Sequence, residues 1–496
     1  MLAAKQSQTA PMPLAALLES GDAALRNTVV SGIEIDSRRI RPGDLFLAMP
    51  GDVHDGRQFI EQAVANGASA IVAEAPVAGF VDAVAVPLVE IPDLRHEAGP
   101  LAARFFGYPA RAMYVTGVTG TNGKTTTSHI IAQLTRALGR PCGAIGTLGA
   151  TLDDDVVQGG NTTPDAIALQ RQLCDWRARA VSAVSMEVSS HALVQGRVNG
   201  LEFDTAVYTN LSRDHLDYHR SMGDYARAKL RLFATPGLRH AVINVDDELA
   251  ALFAAATCED AEILTYSARG AGADLRVVDA RYHAGGVRAR LHTPWGEGEF
   301  ESPLPGQYNL ANLTAAIAAA VLSGQKLEAV LEAVASLRPV PGRMQRIPNA
   351  LGLQVIVDYA HTPHALEETL AALRPHVTGA LTVVFGCGGD RDRDKRQIMG
   401  RIACGLADRV VVTSDNPRGE DPRAIMREIE RGCSGDYLLE PDRGAAVAYA
   451  IAAADADDCV LIAGKGHENY QLVEGRALPF SDEAEALAAL ERRPRS

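Results

Sequence analysis

The feature that most constrains this chain is Thr116–Leu134, TGVTGTNGKTTTSHIIAQL, where an apolar run enters a glycine-rich turn and Gly123-Lys124-Thr125 opens an amphipathic helix. A strand that stops in glycines and restarts as a helix begins a βαβ unit, so it commits its surroundings to a mainly parallel sheet. The turn also carries a chemistry. Its glycines let backbone N–H groups close on phosphate oxygens, and the helix N-terminus adds a favourable dipole. Gly120, Thr121, Asn122, Gly123 and Thr126 would form the cradle, Lys124 would neutralise β- and γ-phosphates, and the Thr125 hydroxyl would reach Mg²⁺. The spacing departs from the GxxxxGK[ST] pattern, because position 118 is Val and the earlier glycine is Gly117. Strand, turn, GKT and helix in succession nevertheless make an incidental glycine turn the weaker reading, and ATP is the expected ligand.

The rest of the chain repeats this logic. With 496 residues it is too long for one ordinary core, and three regions separate by pattern: 1–111, 112–342 and 343–496. The first has strand-like runs (GIEID, DLFLAM, AIVAE) and a helical run, FIEQAVANGA. The second alternates strand-like PCGAIGT, AVSAVSMEV, DTAVYTN and HAVINV with helical segments. The third has VIVDYAH, LTVVFGCGGD, RVVVTSDNP and CVLIAGKGH, each a β-branched run ending in a polar or glycine-rich tip. The expected fold class is α/β, with a central P-loop-type, mainly parallel sheet and a C-terminal Rossmann-like sheet. Ligands of such sheets sit beyond the carboxyl ends of the strands, so facing ends would make an interdomain cleft.

Composition narrows the partners. A net charge of −13 without a long basic run argues against nucleic acid and anionic membrane. The seven cysteines are scattered and never paired as CxxC, which points to a reducing compartment rather than a disulfide framework or zinc site. MLAAKQSQTAPMPLAALLESG lacks the basic and apolar segments of a signal peptide, and AAIAAAVLSG is too short to span a bilayer. A cytoplasmic monomer acting on small molecules is expected.

Two further clusters carry chemistry. Glu187 ends a strand-like run, so its carboxylate could face the phosphate loop. TNLSRDHLDYH follows another strand end and offers Asp214, His215, Asp217 and His219; Mg²⁺ takes oxygen ligands and tolerates a neutral imidazole. The helical run SMGDYARAKLRLF carries Lys229, which by pattern alone reads as a surface lysine.

Taken together, TGTNGKTTT, NTTPDAIALQ, MEVSSHAL, TNLSRDHLDYH, YARAKLRLF, LPGQYNLANLTAA, VPGRMQ, DYAHTPHAL, GCGGDRDRDKR, SDNPRGEDP and AGKGHENYQ resemble the Mur ligase family of peptidoglycan synthesis. NTTP with MEVSSHALVQGRV resembles the branch that adds the third residue of the peptide. The resemblance implies an ATP-dependent, ADP-forming ligase. In it the γ-carboxylate of D-glutamate in UDP-N-acetylmuramoyl-L-alanyl-D-glutamate becomes an acyl phosphate, which the amine of an amino acid attacks. It implies that 1–111 binds the UDP substrate, 112–342 binds ATP and 343–496 binds the amino acid. By motif, Thr125, Glu187 and His215 would hold metal, with Lys229 as an N-carbamate beside it, and Lys124, Glu187, His215 and Lys229 would be catalytic. Asn309, Arg343, Asp358 and His361 would contact the nucleotide; a cap for the helix after it is the plainer reading of Asn309. Ser37, Thr162, Thr163, Ser189, Gln195 and Arg197 would hold the UDP-muramoyl dipeptide. Ser37 otherwise reads as a turn serine, and the later GDVHDGRQF segment varies within the family.

SDNPRGEDP is the selective element. In this family DNPR marks ligases that use meso-diaminopimelate, whose second α-carboxylate Arg418 can take through two parallel charge-assisted bonds. Lysine would leave that guanidinium unmatched, which penalises the wrong substrate. Asp415, Asn416, Arg391, Gly464 and Glu468 match the remaining contacts. Asp394 departs from the small residue common before the lysine of GGDRDxxKR. A folylpolyglutamate synthetase-like ligase and a nucleotide-binding scaffold are the competing readings; NTTP, DNPR and the separate N-terminal region disfavour the first, and the intact Lys124, Glu187, His215, Lys229 and Arg418 disfavour the second.

Overall fold

Every residue of the strand Tyr114–Thr119 is buried, as a strand covered on both faces of a parallel sheet must be. The computed structural model describes residues 10–51, 54–81, 84–153, 155–270 and 272–493. The start of the leader reading (1–9) and residues 52 and 53 of GDVHDGRQF lie outside the described residues. The chain forms two compact units, Met1–Ser267 with Ala315–Lys326, and Ala268–Thr314 with Leu327–Ser496.

In the first unit the central sheet runs Asp155–Val157, Gly149–Leu152, Cys142–Gly146, Ala183–Glu187, Tyr114–Thr119, Thr205–Tyr208, His240–Asn244, Glu262–Ser267. It is parallel from Cys142–Gly146 onward. Tyr114–Thr119 therefore lies between the strand that delivers Glu187 and the strand that leads into Thr209–His219. Chain connections leave it toward both sides, which places the loop after Thr119 where the strand order reverses. The core beneath includes Trp176, Met186, Phe203, Leu232 and Phe233.

A smaller parallel sheet, Gly32–Glu34, Asp44–Ala48, Ala70–Glu74 and Leu88–Ile91, occupies the same unit. Its last strand leads into the helix Leu94–Phe105, which packs on the central region. Asn199 Nδ2 donates to the His96 carbonyl at 3.0 Å, and a side chain at Gly99 would come within 2.0 Å of the Asn199 carbonyl oxygen. Arg171 ties the two sheets further, donating to Ile33 O at 2.8 Å and to Glu34 at 3.1 Å.

The second unit holds an antiparallel meander, Leu275–His283, Gly286–Thr293 and Gly296–Ser302, in a region the sequence pattern treated as mainly parallel. A six-stranded sheet of the same unit runs Gln345–Arg346, Gln354–Asp358, Cys459–Ala463, Leu381–Phe385, Arg409–Val412, Tyr437–Leu439. All pairings but the first are parallel. The strands expected from VIVDYAH, LTVVFGCGGD, RVVVTSDNP and CVLIAGKGH are all present, and their polar tips gather at one edge. Among the described residues no helix is long and apolar enough to cross a membrane.

Candidate active site

The glycine-rich turn is fixed by its neighbour rather than by itself. Gly120 has φ 151°, and a side chain there would meet the Thr209 hydroxyl at 1.9 Å. Thr121 N donates to Asn210 O at 2.8 Å, Asn122 N to Asn210 Oδ1 at 3.0 Å and Thr209 Oγ1 to Asn122 O at 2.6 Å. Two of the turn's amides are thus used to hold its shape. The helix Lys124–Ala137 then starts at Gly123, whose φ is 85°, so its first-turn amides are the ones aimed at a phosphate.

Two amines converge on this turn. Lys124 Nζ donates to Gly120 O at 2.9 Å and Thr121 O at 2.8 Å, and Lys229 Nζ donates to the same Gly120 carbonyl at 2.7 Å. Lys229 is 1 % exposed, which corrects its reading as a surface lysine. On the helix Met222–Phe233 it shares the buried stripe with Tyr225, Ala228 and Leu232, at the i, i+3 and i+4 spacing of one helical face. Burial, then the neighbouring Lys124 charge, holds its amine well below the ordinary lysine range.

Glu187 is the last residue of its strand, opposite Val118, and is 1 % exposed. Its carboxylate accepts from Thr147 N at 2.7 Å and from Thr147 Oγ1 at 3.3 Å. The NTTP residues lie alongside. Thr162 Oγ1 is 3.2 Å from Thr147 Oγ1, and Thr163 Oγ1 donates to Glu187 O at 2.8 Å. Ser189 caps the short helix Ser190–Val194 through Ala192 N and bonds Thr163 through its own amide at 3.1 Å. Arg197 reaches Thr163 O at 2.9 Å and Gln195 Oε1 at 2.8 Å. The motif therefore folds into one connected patch.

Three imidazoles and two phenols pack on the other flank. The His191 ring lies 4.9 Å from that of His215, 4.0 Å from that of Tyr218 and 5.6 Å from that of His219. His219 and Tyr225 are 5.1 Å apart. Burial is the largest cause that lowers the His215 and His219 pKa values, and with the adjoining imidazoles it pushes His191 down to about 4. His215 takes φ 53°, a left-handed turn that few residues adopt.

Among the described residues no group of three or more His, Cys, Asp or Glu side chains forms a metal cage. Mg²⁺ in phosphoryl-transfer sites takes only one or two carboxylates from the protein and fills most of its shell with phosphate oxygens and water. Buried Glu187, neutral His215 and the Thr125 hydroxyl at the helix start fit that sparse donor set.

In the second unit the tips of four strands meet. Asp358 is buried and accepts from Met344 N at 2.7 Å and Ala360 N at 2.9 Å; burial raises its pKa. His361, whose pKa burial lowers, is bonded to Tyr359 O at 2.8 Å, and the Arg343 guanidinium lies 4.7 Å over the Tyr359 ring. Asn309 lies inside the helix Gln307–Leu322 rather than ahead of it, and its amide donates back to Pro305 O at 2.7 Å.

The DNPR loop is tied to two other segments through Arg418. Arg418 has φ 54°, its amide donates to Leu472 O at 2.8 Å and its guanidinium to Gly389 O at 2.9 Å. Asn416 Nδ2 donates to Glu468 Oε2 at 2.9 Å. Gly464 has φ 121°, and its missing side chain would stand 3.3 Å from Asp415 Oδ2. Arg391 is exposed on the loop before the helix Asp394–Leu406. Asp394 is the first residue of that helix, where a carboxylate favours the dipole. Its departure from the usual pattern thus has a local rationale.

Matches to three family models span most of the chain: "Mur ligase family, catalytic domain" over residues 29–106, "Mur ligase middle domain" over 118–320 and "Mur ligase, glutamate ligase domain" over 342–466. A Pseudomonas aeruginosa protein named UDP-N-acetylmuramoyl-L-alanyl-D-glutamate–2,6-diaminopimelate ligase is 47% identical over 97% of this chain and 98% of its own length. The chain belongs to the Mur ligase family. A Geobacillus thermodenitrificans relative of the same name is 45% identical over 94% of this chain and 96% of its own. A solved structure of a ligase of that name matches with TM-score 0.76 and 38% identity, covering 97% of this chain and 99% of that one. Mycobacterium tuberculosis folylpolyglutamate synthase, solved with ADP and AMPPCP, matches with TM-score 0.62 at 20% identity over 82% of this chain and 96% of that one, a likeness of fold alone.

For a Mur ligase, the structure gathers the phosphate turn, Lys229 and the His215 loop in one place. Thr162, Thr163, Ser189, Gln195 and Arg197 collect in a patch beside Glu187. In the second unit Asp415, Asn416, Arg418, Gly464 and Glu468 collect at one sheet edge. Ser37 stands apart from these, 6 % exposed, with its hydroxyl donating to Gln62 Oε1 at 2.9 Å. Sequence reasoning missed Lys465, wholly buried beside Asn416 and Glu468, and Arg396, wholly buried between Glu420 and Glu428. Both stand in motifs quoted for the resemblance, and a lysine flanked by two glycines was the available signal.

Proposed function

We propose that this Mur ligase joins meso-2,6-diaminopimelate to the γ-carboxylate of D-glutamate in UDP-N-acetylmuramoyl-L-alanyl-D-glutamate, with ATP cleaved to ADP, in the synthesis of peptidoglycan precursors. The observation that carries this reading is its full-length likeness to ligases named for that reaction, with the DNPR loop intact. Domains 1–111, 112–342 and 343–496 take the UDP substrate, ATP and the amino acid in turn. The enzyme works as a cytoplasmic monomer on these three small molecules.

The chemistry brings anions together. A carboxylate must approach a triphosphate tail, so cations have to offset the repulsion and the charge that develops in the transition state. Lys124 exchanges the carbonyls of Gly120 and Thr121 for β- and γ-phosphate oxygens, while the first-turn amides of its helix hold the remainder. Thr125, Glu187 and His215 would hold Mg²⁺, with Lys229 beside them as an N-carbamate, and the ion would supply Lewis-acid stabilisation of the phosphoryl oxygens. Lys229 suits that modification because burial lowers the pKa of its amine, which favours the unprotonated form that can react with carbon dioxide. Asn309, Arg343, Asp358 and His361 complete the nucleotide contacts. Thr162, Thr163, Ser189, Gln195 and Arg197 hold the dipeptide end of the UDP substrate, and Ser37 its uracil end. Arg418 and Arg391 face the carboxylates of diaminopimelate; Asp415, Asn416, Gly464 and Glu468 face its distal ammonium. Holding acceptor and acyl phosphate in line supplies much of the rate.

Phosphate release from ATP, measured with the UDP-dipeptide and either diaminopimelate or lysine, tests the assignment. Release is expected with diaminopimelate and should fall by about 100-fold or more in kcat/KM with lysine, the loss of one charge-assisted bidentate contact. Silence with both acceptors, or equal use of the two, would overturn it.

A further inference from the structure

Lys465 performs a task that none of the roles above includes. It is wholly buried between Gly464 and Gly466, whose φ values are 121° and 54°. Its Nζ donates to Asn416 Oδ1 at 3.0 Å and to Glu468 Oε2 at 3.1 Å, and Asp415 Oδ1 lies 3.6 Å away. The Tyr470 ring stands 5.6 Å from the same nitrogen. Asn416 Nδ2 in turn donates to Glu468 Oε2 at 2.9 Å, so ammonium, amide and carboxylate close a triangle.

That triangle fixes two orientations. Asn416 Oδ1 accepts from Lys465 Nζ and from Leu472 N at 2.9 Å. Neither partner can accept a hydrogen bond, so the amide cannot flip without losing both bonds. Its nitrogen must face Glu468. Both bonds to Glu468 land on Oε2, so Oε1 is left as the acceptor a ligand can use. Charge is balanced in the same stroke. One buried ammonium between the Asp415 and Glu468 carboxylates leaves a single net negative charge, which suits one ligand ammonium, while Arg418 close by suits a carboxylate.

We infer that Lys465 is the positioning residue that sets acceptor specificity: it holds the Asn416 amide and the Glu468 carboxylate in the one arrangement that reads a zwitterionic amino-acid end. This rests on the reading of Asn416, Arg418 and Glu468 as the acceptor site. Without the ammonium, the two carboxylates repel and the Asn416 oxygen is held by Leu472 N alone.

Lys465→Met removes charge and donor, and Lys465→Gln keeps a donor while removing the charge. Each is compared with Arg418→Ala, with Asn416→Ala and with the double variant Lys465→Met/Asn416→Ala, using purified full-length enzyme and steady-state phosphate release. Both Lys465 variants should raise KM for diaminopimelate about tenfold or more. KM for ATP and for the UDP-dipeptide should stay within about twofold, and the preference over lysine should shrink. The double variant should be little worse than the worse single one, because both act through the same triangle. An unmoved diaminopimelate KM, an equal rise in the ATP KM, additive effects in the double variant, or failure of both single variants to give a cooperative melt would each overturn the inference. If Arg418→Ala also leaves the diaminopimelate KM unchanged, the acceptor-site reading itself falls.

Discussion

The phosphate turn of the first unit and the DNPR edge of the second both concentrate charge, yet they hold it in opposite ways. Lys124 and Lys229 donate to the main-chain carbonyls of Gly120 and Thr121. Lys465 instead donates to the side chains of Asn416 and Glu468, and Arg396 is clasped by Glu420 and Glu428 at 2.8 and 2.7 Å. Carbonyl partners carry no net charge, so the bonds of Lys124 to Gly120 and Thr121 leave its charge available to an incoming polyanion. Carboxylate partners neutralise, which suits an edge that must receive a molecule already carrying both signs. A site for a triphosphate is built under-compensated; a site for a zwitterion is built nearly balanced.

Three variants sharpen or break that contrast. Lys124→Ala should have the largest effect: kcat/KM for ATP falls by roughly a thousandfold, while the melting temperature stays close to the parent's. Activity near the parent level would remove Lys124 from phosphate binding. Arg418→Ala comes next. It should raise KM for diaminopimelate about 10- to 100-fold and leave KM for ATP unchanged, and a parallel rise in both constants would make the arginine a structural residue instead.

The smallest effect, and the most direct test of under-compensation, is on stability. Lys229 has its folded pKa below the unfolded value, so the unfolded chain binds the extra proton and stability falls as pH drops below the ordinary lysine pKa of 10.5. Lys229→Met removes that loss. In degassed, bicarbonate-free buffer it should melt about 1–3 °C above the parent at pH 6, with the gap closing toward pH 10, although turnover is lost. A gap that widened as pH rose would mean that the amine is charged and satisfied in the fold.

Much of this was legible because the signals are local. Gly123-Lys124-Thr125 announces a helix start, and a β-branched run before a polar tip announces a strand end; both follow from the residues themselves. The antiparallel meander Leu275–Ser302 was not, since its strands carry exposed polar faces and short glycine turns that read as irregular chain. Lys229 was legible only through the family resemblance, because helical spacing alone did not settle whether it faces inward and a lysine is normally solvated. Lys465 and Arg396 escaped because Asn416 and Asp415 for the first, and Glu420 and Glu428 for the second, come from other parts of the sequence.

By itself, the sequence determined the α/β class, the phosphate turn and the family to which the chain belongs, because strand ends, helix starts and motif residues are set within a few positions of one another. Only the tertiary structure decided that Lys229 is buried against Gly120, that Asn210 staples the turn, and that Lys465 locks Asn416 to Glu468. Burial and charge compensation are sums over neighbours brought together from distant positions, and no local pattern contains them.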